Sequence, residues 1–145
     1  LFNQIDSTCI FIILRTPKLY GMVVDGTYAK MWIADGIFYF IYKPIPILDL
    51  PKAKTIVQER FVVQNQVNYP IFCDLRGVQQ SVKEARDYLA NEGAWMTKAL
   101  ALLVEDPHAY AISKMYVHMA KGDYPTQIFT DREKALEFLE TNKNL

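Results

Sequence analysis

The dipeptide Asp35-Gly36 separates two runs rich in aromatic and β-branched residues, 27–34 and 37–43. Asp-Gly suits the positive φ angles of a type I′ turn, whose twist matches that of a two-stranded hairpin. An antiparallel pair is therefore expected here, and the rest of the chain must be arranged around it. From Ile37 to Tyr42 both faces are apolar or aromatic. Such a strand is expected to be covered on both sides. Pro44 and Pro46 then end the hairpin, because proline cannot donate to a ladder.

Asp49 opens a helix, with Pro51 in its first turn where a missing N–H does no harm. Ala53, Ile56, Val57 and Phe61 share one face of it. Three strand–helix units follow: strand 70–75 with helix 82–92, strand 98–104 with helix 107–120, and strand 125–129 with helix 131–141. The run 98–104 is apolar after its first residue, as in a central parallel strand. Asp106 and Pro107 mark a helix start. Ser81-Val-Lys-Glu84 and Thr130-Asp-Arg-Glu133 have the form of capping boxes, and Gly93 and Gly122 stand where helices end in a left-handed residue. Parallel strands with helical crossovers wind right-handed and cover their sheet with helices. The expectation is an α/β domain with a mixed sheet of about five strands, flanked by helices, with the hairpin as its antiparallel edge. Residues 1–26 read as an N-terminal extension or extra strand, and 27–145 as one domain.

A chain of 145 residues is the size of one domain with one core. Lys+Arg and Asp+Glu are equal at 16 each, which gives no reason to expect nucleic acid. Cys9 and Cys73 do not make a disulfide framework and read as reduced, buried thiols of a cytoplasmic protein. The apolar run Cys9–Leu14 is far short of the roughly 20 residues a membrane span needs. It reads as a strand or packed extension, so no membrane span is expected.

The stretch Tyr28–Pro44, together with Ala85-Arg-Asp-Tyr-Leu-Ala90, Pro125–Asp131 and Ala135–Leu139, resembles a family of uncharacterised bacterial proteins, mostly from Bacteroidetes. That family is grouped with STAS-like domains, the fold of anti-sigma-factor antagonists. The resemblance covers about 27–141. It implies a mixed sheet flanked by helices, and a third strand whose end leads into a helix N-terminus. In true antagonists that loop carries a phosphorylatable serine in an Asp-Ser-Ser/Thr-Gly motif. Here the stretch reads Asp74-Leu-Arg-Gly-Val-Gln-Gln-Ser81, with Asp74 and Ser81 present and the compact motif missing.

Several residues are candidates for function. Ser81 is either a plain helix cap or a switch, since phosphate at a helix N-terminus meets free N–H groups and the positive end of the dipole. Asp74 ends a strand at the sheet edge where open α/β folds place ligands, and Arg76 and Gly77 follow it. An Asp74–Arg76 pair is a candidate contact for an anion or a partner, with Gly77 serving the turn. Arg86 is expected to pair with Asp74 across the loop, more as a structural ion pair than as a ligand contact. Trp32, Tyr39 and Tyr42 of the hairpin, and Tyr116 of helix 107–120, belong to an aromatic set larger than one face of a small domain can bury. They point to an interface, an apolar pocket or a doubly covered core.

No catalytic constellation is expected. His108 and His118 have no Cys, Asp or Glu at ligand spacing, so no metal is expected. A Ser81–His118–Asp74 triad lacks the glycine framing of a nucleophile elbow. No G-x-G-x-x-G or P-loop is present, and no cofactor is expected. The first expectation is a non-catalytic protein–protein interaction or regulatory domain, docking through 74–82 or self-associating through the hairpin as a homo-oligomer. The alternative is a small-molecule or lipid carrier, with the hairpin and helix 107–120 lining its pocket.

Overall fold

The computed structural model describes residues 23–106, 108, 111 and 123–145. The main sheet has six strands in two halves of opposite character. Strands β1 (Val24–Asp25), β2 (Ala29–Ala34) and β3 (Ile37–Tyr42) run antiparallel. Strands β5 (Tyr69–Asp74), β7 (Thr97–Leu103) and β8 (Thr126–Phe129) extend it in parallel from β3, giving the order β1-β2-β3-β5-β7-β8. Asp35 and Gly36 have φ of 51° and 76°, the two positive angles of the expected turn. The turn sets Trp32 opposite Tyr39 and Met31 opposite Phe40.

Helix α1 (Leu50–Gln64) starts as expected, with the Asp49 carboxylate accepting from the Lys52 N–H. It ends at Asn65, whose φ of 49° allows its N–H to reach the Phe61 carbonyl. Ala53, Ile56 and Val57 are buried against the sheet, while Phe61 is half-buried and meets Trp95 edge-on. Helix α2 (Lys83–Asn91) packs beside α1. Helix α3 (Arg132–Thr141) takes the opposite face. Its first turn is capped by Asp131, which accepts from the N–H groups of Glu133 and Lys134. The expected Thr130 capping box is therefore displaced by one residue. The longer reach of a carboxylate lets Asp131 take two orphan N–H groups at once.

Two further strands were not anticipated. Strand β4 (Ile45–Leu48) and strand β6 (Val78–Ser81) form a separate parallel pair. Pro46 does not prevent this. The Ile45 N–H donates to the Gly77 carbonyl, so alternation turns the Pro46 nitrogen away from the partner strand. The pairing also explains Gly77. A Cβ there would stand 2.6 Å from the Tyr42 carbonyl oxygen and 2.7 Å from that of Lys43. Close backbone approach, not a positive φ, demands glycine. Gly93 likewise has no positive φ and lies in a 3₁₀ turn, Glu92–Ala94, that continues α2. The left-handed residue comes later, at Met96 with a φ of 60°, just before β7. Apart from residues 108 and 111, the expected helix 107–120 lies outside the described residues, as do Gly122 and residues 1–22.

The core has two layers. On one face Phe38, Phe40, Ile71, Leu100 and Leu102 meet α1 and α2. On the other, Ile37, Phe72, Ala99, Ala101 and Leu103 meet Ala135 and Leu139 of α3. Phe38 and Phe72 are at most 1% exposed. Burial of such a side chain contributes about 1.5–3 kcal/mol. Strand β3 thus has apolar neighbours on both faces, although Tyr39 and Ile41 remain half-buried.

Candidate functional site

The described residues leave a space in the layer between the sheet and its paired helices. A cavity of about 450 Å³ opens there, in the range of small-molecule sites. Its floor is sheet: Phe40 and Tyr42 of β3, Ile71 and Cys73 of β5, Leu100 and Leu102 of β7, then Val104. Ile56, Val57 and Arg60 of α1 form one wall. Leu48 and Val78–Ser81, from the β4–β6 pair, join Arg86 and Leu89 of α2 in another. Glu105, Asp106 and His108 follow the C-terminal end of β7, and Tyr124 also borders the space. The location accords with the rule that open α/β sheets bind ligands beyond the carboxyl ends of their strands.

The polar groups in and beside the cavity are mostly engaged. Asp74 is buried, and Arg76 grips its carboxylate from two sides: Nε reaches Oδ1 at 2.9 Å and Nη2 reaches Oδ2 at 2.8 Å. The Arg76 backbone N–H adds a bond of 3.0 Å to Oδ1. These hydrogen bonds, and then the carboxylate's charge, push the Arg76 guanidinium further above its ordinary range. The expected pairing of Arg86 with Asp74 is not found. Arg76 is only two residues from Asp74 and needs no crossing of the loop. Arg86 instead donates through Nη1 to the carbonyl and the Oγ of Ser81, the latter at 3.1 Å.

Ser81 also departs from expectation. It ends β6 opposite Leu48 and does not cap α2, whose N-cap is Val82 with no side-chain bond. The pairing with Leu48 takes Ser81 into a strand, and the Ser81–Glu84 box cannot close. Arg60 was not anticipated. Its Nη2 donates to the carbonyls of Gly93 and Trp95, at 2.6 and 2.9 Å, and ties α1 to the turn after α2. Its signal was helical spacing, four residues after Ile56 on the buried face of α1.

Glu59, one residue earlier, was also overlooked. It is 4% exposed and accepts the Thr27 N–H at 3.0 Å and the Thr27 hydroxyl, anchoring the β1–β2 turn to α1.

Cys73 is buried and unpaired with another cysteine. Burial, followed by the nearby Asp74 charge, pushes its thiol up to about 12. Burial likewise raises the Tyr124 phenol. Among the described residues, no group of three or more His, Cys, Asp or Glu is placed to hold a metal ion. His118 and Cys9 lie outside the described residues.

The aromatic candidates divide. Tyr42 lines the cavity and meets Phe40 edge-on at 4.9 Å. Trp32 and Tyr39 lie on the opposite face, stacked at 5.0 Å with nearly parallel planes, with Phe72 5.6 Å beyond Tyr39. Tyr116 lies outside the described residues. No helix among the described residues is long and apolar enough to cross a membrane.

This architecture is a mixed α/β sheet of the SpoIIAA-like kind. A crystal structure of an uncharacterised protein of the DUF3478 family with a SpoIIAA-like fold, from Shewanella loihica PV-4, superposes with a TM-score of 0.57. The match covers 80% of this chain and 98% of that one at 12% identity, a likeness of fold. Residues 31–143 match the family model described as a domain of unknown function, DUF7793, and the chain belongs to that family. No curated protein matches.

Proposed function

We propose that this domain binds a small, largely apolar molecule in the cavity between the sheet and helices α1 and α2, and that it does so without catalysis. The observation that carries this reading is the cavity itself. Its buried floor of Phe40, Ile71, Leu100 and Leu102 is apolar, while its charged groups stand among the strand ends and on α1 and α2. An apolar floor with a few placed polar groups is the usual composition of a ligand site. The non-catalytic part is supported by the state of the reactive groups. The Asp74 carboxylate is committed to Arg76, and the Cys73 thiol is held protonated at neutral pH.

Docking of a protein partner on 74–82 has less support. Residues Val78–Ser81 of that segment are strand β6, Asp74 is engaged by Arg76, and Ser81 is engaged by Arg86.

Native mass spectrometry of the folded chain, purified from its own cells under non-denaturing conditions, tests the proposal. One small molecule per chain is expected, held less firmly when Leu102→Phe extends a ring into the cavity. A bare chain that also fails to take up any apolar probe overturns it.

A further inference from the structure

The three guanidinium groups that line the cavity are not equivalent. Arg76 is spent on buried Asp74, and Glu105 adds a second negative charge beside it. Arg60 is directed at the Gly93 and Trp95 carbonyls. Arg86 donates only through Nη1, and only to the two neutral oxygens of Ser81. Among the described residues its Nε and Nη2 make no hydrogen bond. A guanidinium cannot shed its proton, and its N–H groups form a planar fork that matches a carboxylate or phosphate. Arg86 is half-buried, so its charge is only partly dispersed by solvent. One turn further along the same helix Leu89 joins the apolar lining, which continues into Phe40, Leu100 and Leu102.

A cation with an unused edge at the margin of an apolar cavity selects for a molecule with two ends. We infer that the occupant is a single-chain amphiphile whose anionic head, a carboxylate or a phosphate monoester, pairs with Arg86 while its chain lies over the sheet. The inference rests on the cavity being a ligand site, and it names the class of that ligand. Glu105 and Asp106, the carboxylates that line the cavity among the described residues, keep the head on the α2 side. Arg86 acts as the specificity residue, held in place by Ser81.

Calorimetric titration of the folded chain with decanoate, decyl phosphate, 1-decanol and inorganic phosphate, each below its aggregation concentration, tests this. At least one of the two acids should bind roughly tenfold or more tightly than the alcohol. The tighter acid identifies the head, and inorganic phosphate alone should not bind. Arg86→Gln should bring the acid-to-alcohol ratio to about one, and Arg86→Lys should retain part of it. If the alcohol binds wild type as tightly as both acids, the headgroup assignment fails and the cavity reading stands. If neither acid nor alcohol binds, both fall. Inorganic phosphate binding as tightly as the acids would mean a plain anion site and would overturn the amphiphile. The headgroup comparison needs no variant, so it holds even if Arg86→Gln fails to fold.

Discussion

Alternate residues of one strand meet opposite surroundings in this sheet. On β7, Ala99, Ala101 and Leu103 point to the layer closed by α3, where Ala135 and Leu139 are fully buried. Leu100 and Leu102 point to the layer beneath α1 and α2 and border the cavity. Small residues on the first face let α3 approach closely. Large ones on the second face do not suffice to fill the gap, which the β4–β6 pair and Arg60 help to frame. The difference teaches that the space is not a general looseness of the fold. The same backbone is tightly packed a few ångströms away, as interiors usually are.

Substitutions on the two faces should therefore behave differently. The largest effect is expected on the closed face. Leu139→Ala removes a fully buried side chain against β7 and should cost about 2–5 kcal/mol in a denaturant titration, with no change in ligand uptake. Next come two neighbours on β7. Ala101→Leu should cost about 1–3 kcal/mol, because α3 leaves no room for the added atoms. Leu102→Phe, one residue on, should stay within about 1 kcal/mol of wild type because the cavity accepts the ring. Equal costs at 101 and 102 would break the contrast between faces.

Cys73 sharpens the comparison through pH. Its thiol ionises near 9.0 when unfolded and at about 12 when folded. Below pH 9 both states keep the proton, and the full contribution to stability is present. As pH rises from 9 towards 12 only the unfolded state ionises, and stability should fall by roughly 1 kcal/mol per pH unit from this group. Cys73→Ala should flatten that decline in alkaline unfolding curves. The smallest effect is expected far from either layer. Lys83→Ala removes an exposed ion pair with Asp87 one helical turn away and should cost only about 0.3–0.5 kcal/mol, less at high salt.

The parts of the fold that were legible in sequence are those governed by local backbone chemistry. Asp35-Gly36 fixed the hairpin register because few other dipeptides tolerate two positive φ angles. Asp49 and Pro51 marked the start of α1 for the same kind of reason. The β4–β6 pair was hidden because its strands are four residues long, one containing Pro46 and the other reading Val-Gln-Gln-Ser. Nothing local announces that Ile45 will meet Val78. That non-local pairing then displaced Ser81 from its cap and, with it, the simplest reading of the 74–82 segment. Asp74, Arg76, Ser81 and Arg86 were recognised as a group, but their partners were set by geometry that spacing does not encode. The Asp74–Arg76 pair that adjacency suggested is present, whereas Arg86 reaches Ser81 and not Asp74 as expected. The cavity had no signature of its own, since an apolar residue that borders a space reads like one that is packed.

The central claim is that this space is a binding site. The most direct test is a side-by-side titration of folded wild type and Leu102→Phe with a fluorescent anilinonaphthalene sulfonate. Wild type should show saturable binding of one probe per chain, and Leu102→Phe, with unchanged secondary structure, should bind it several-fold more weakly. Equal binding by the two proteins would place the probe elsewhere and contradict the account.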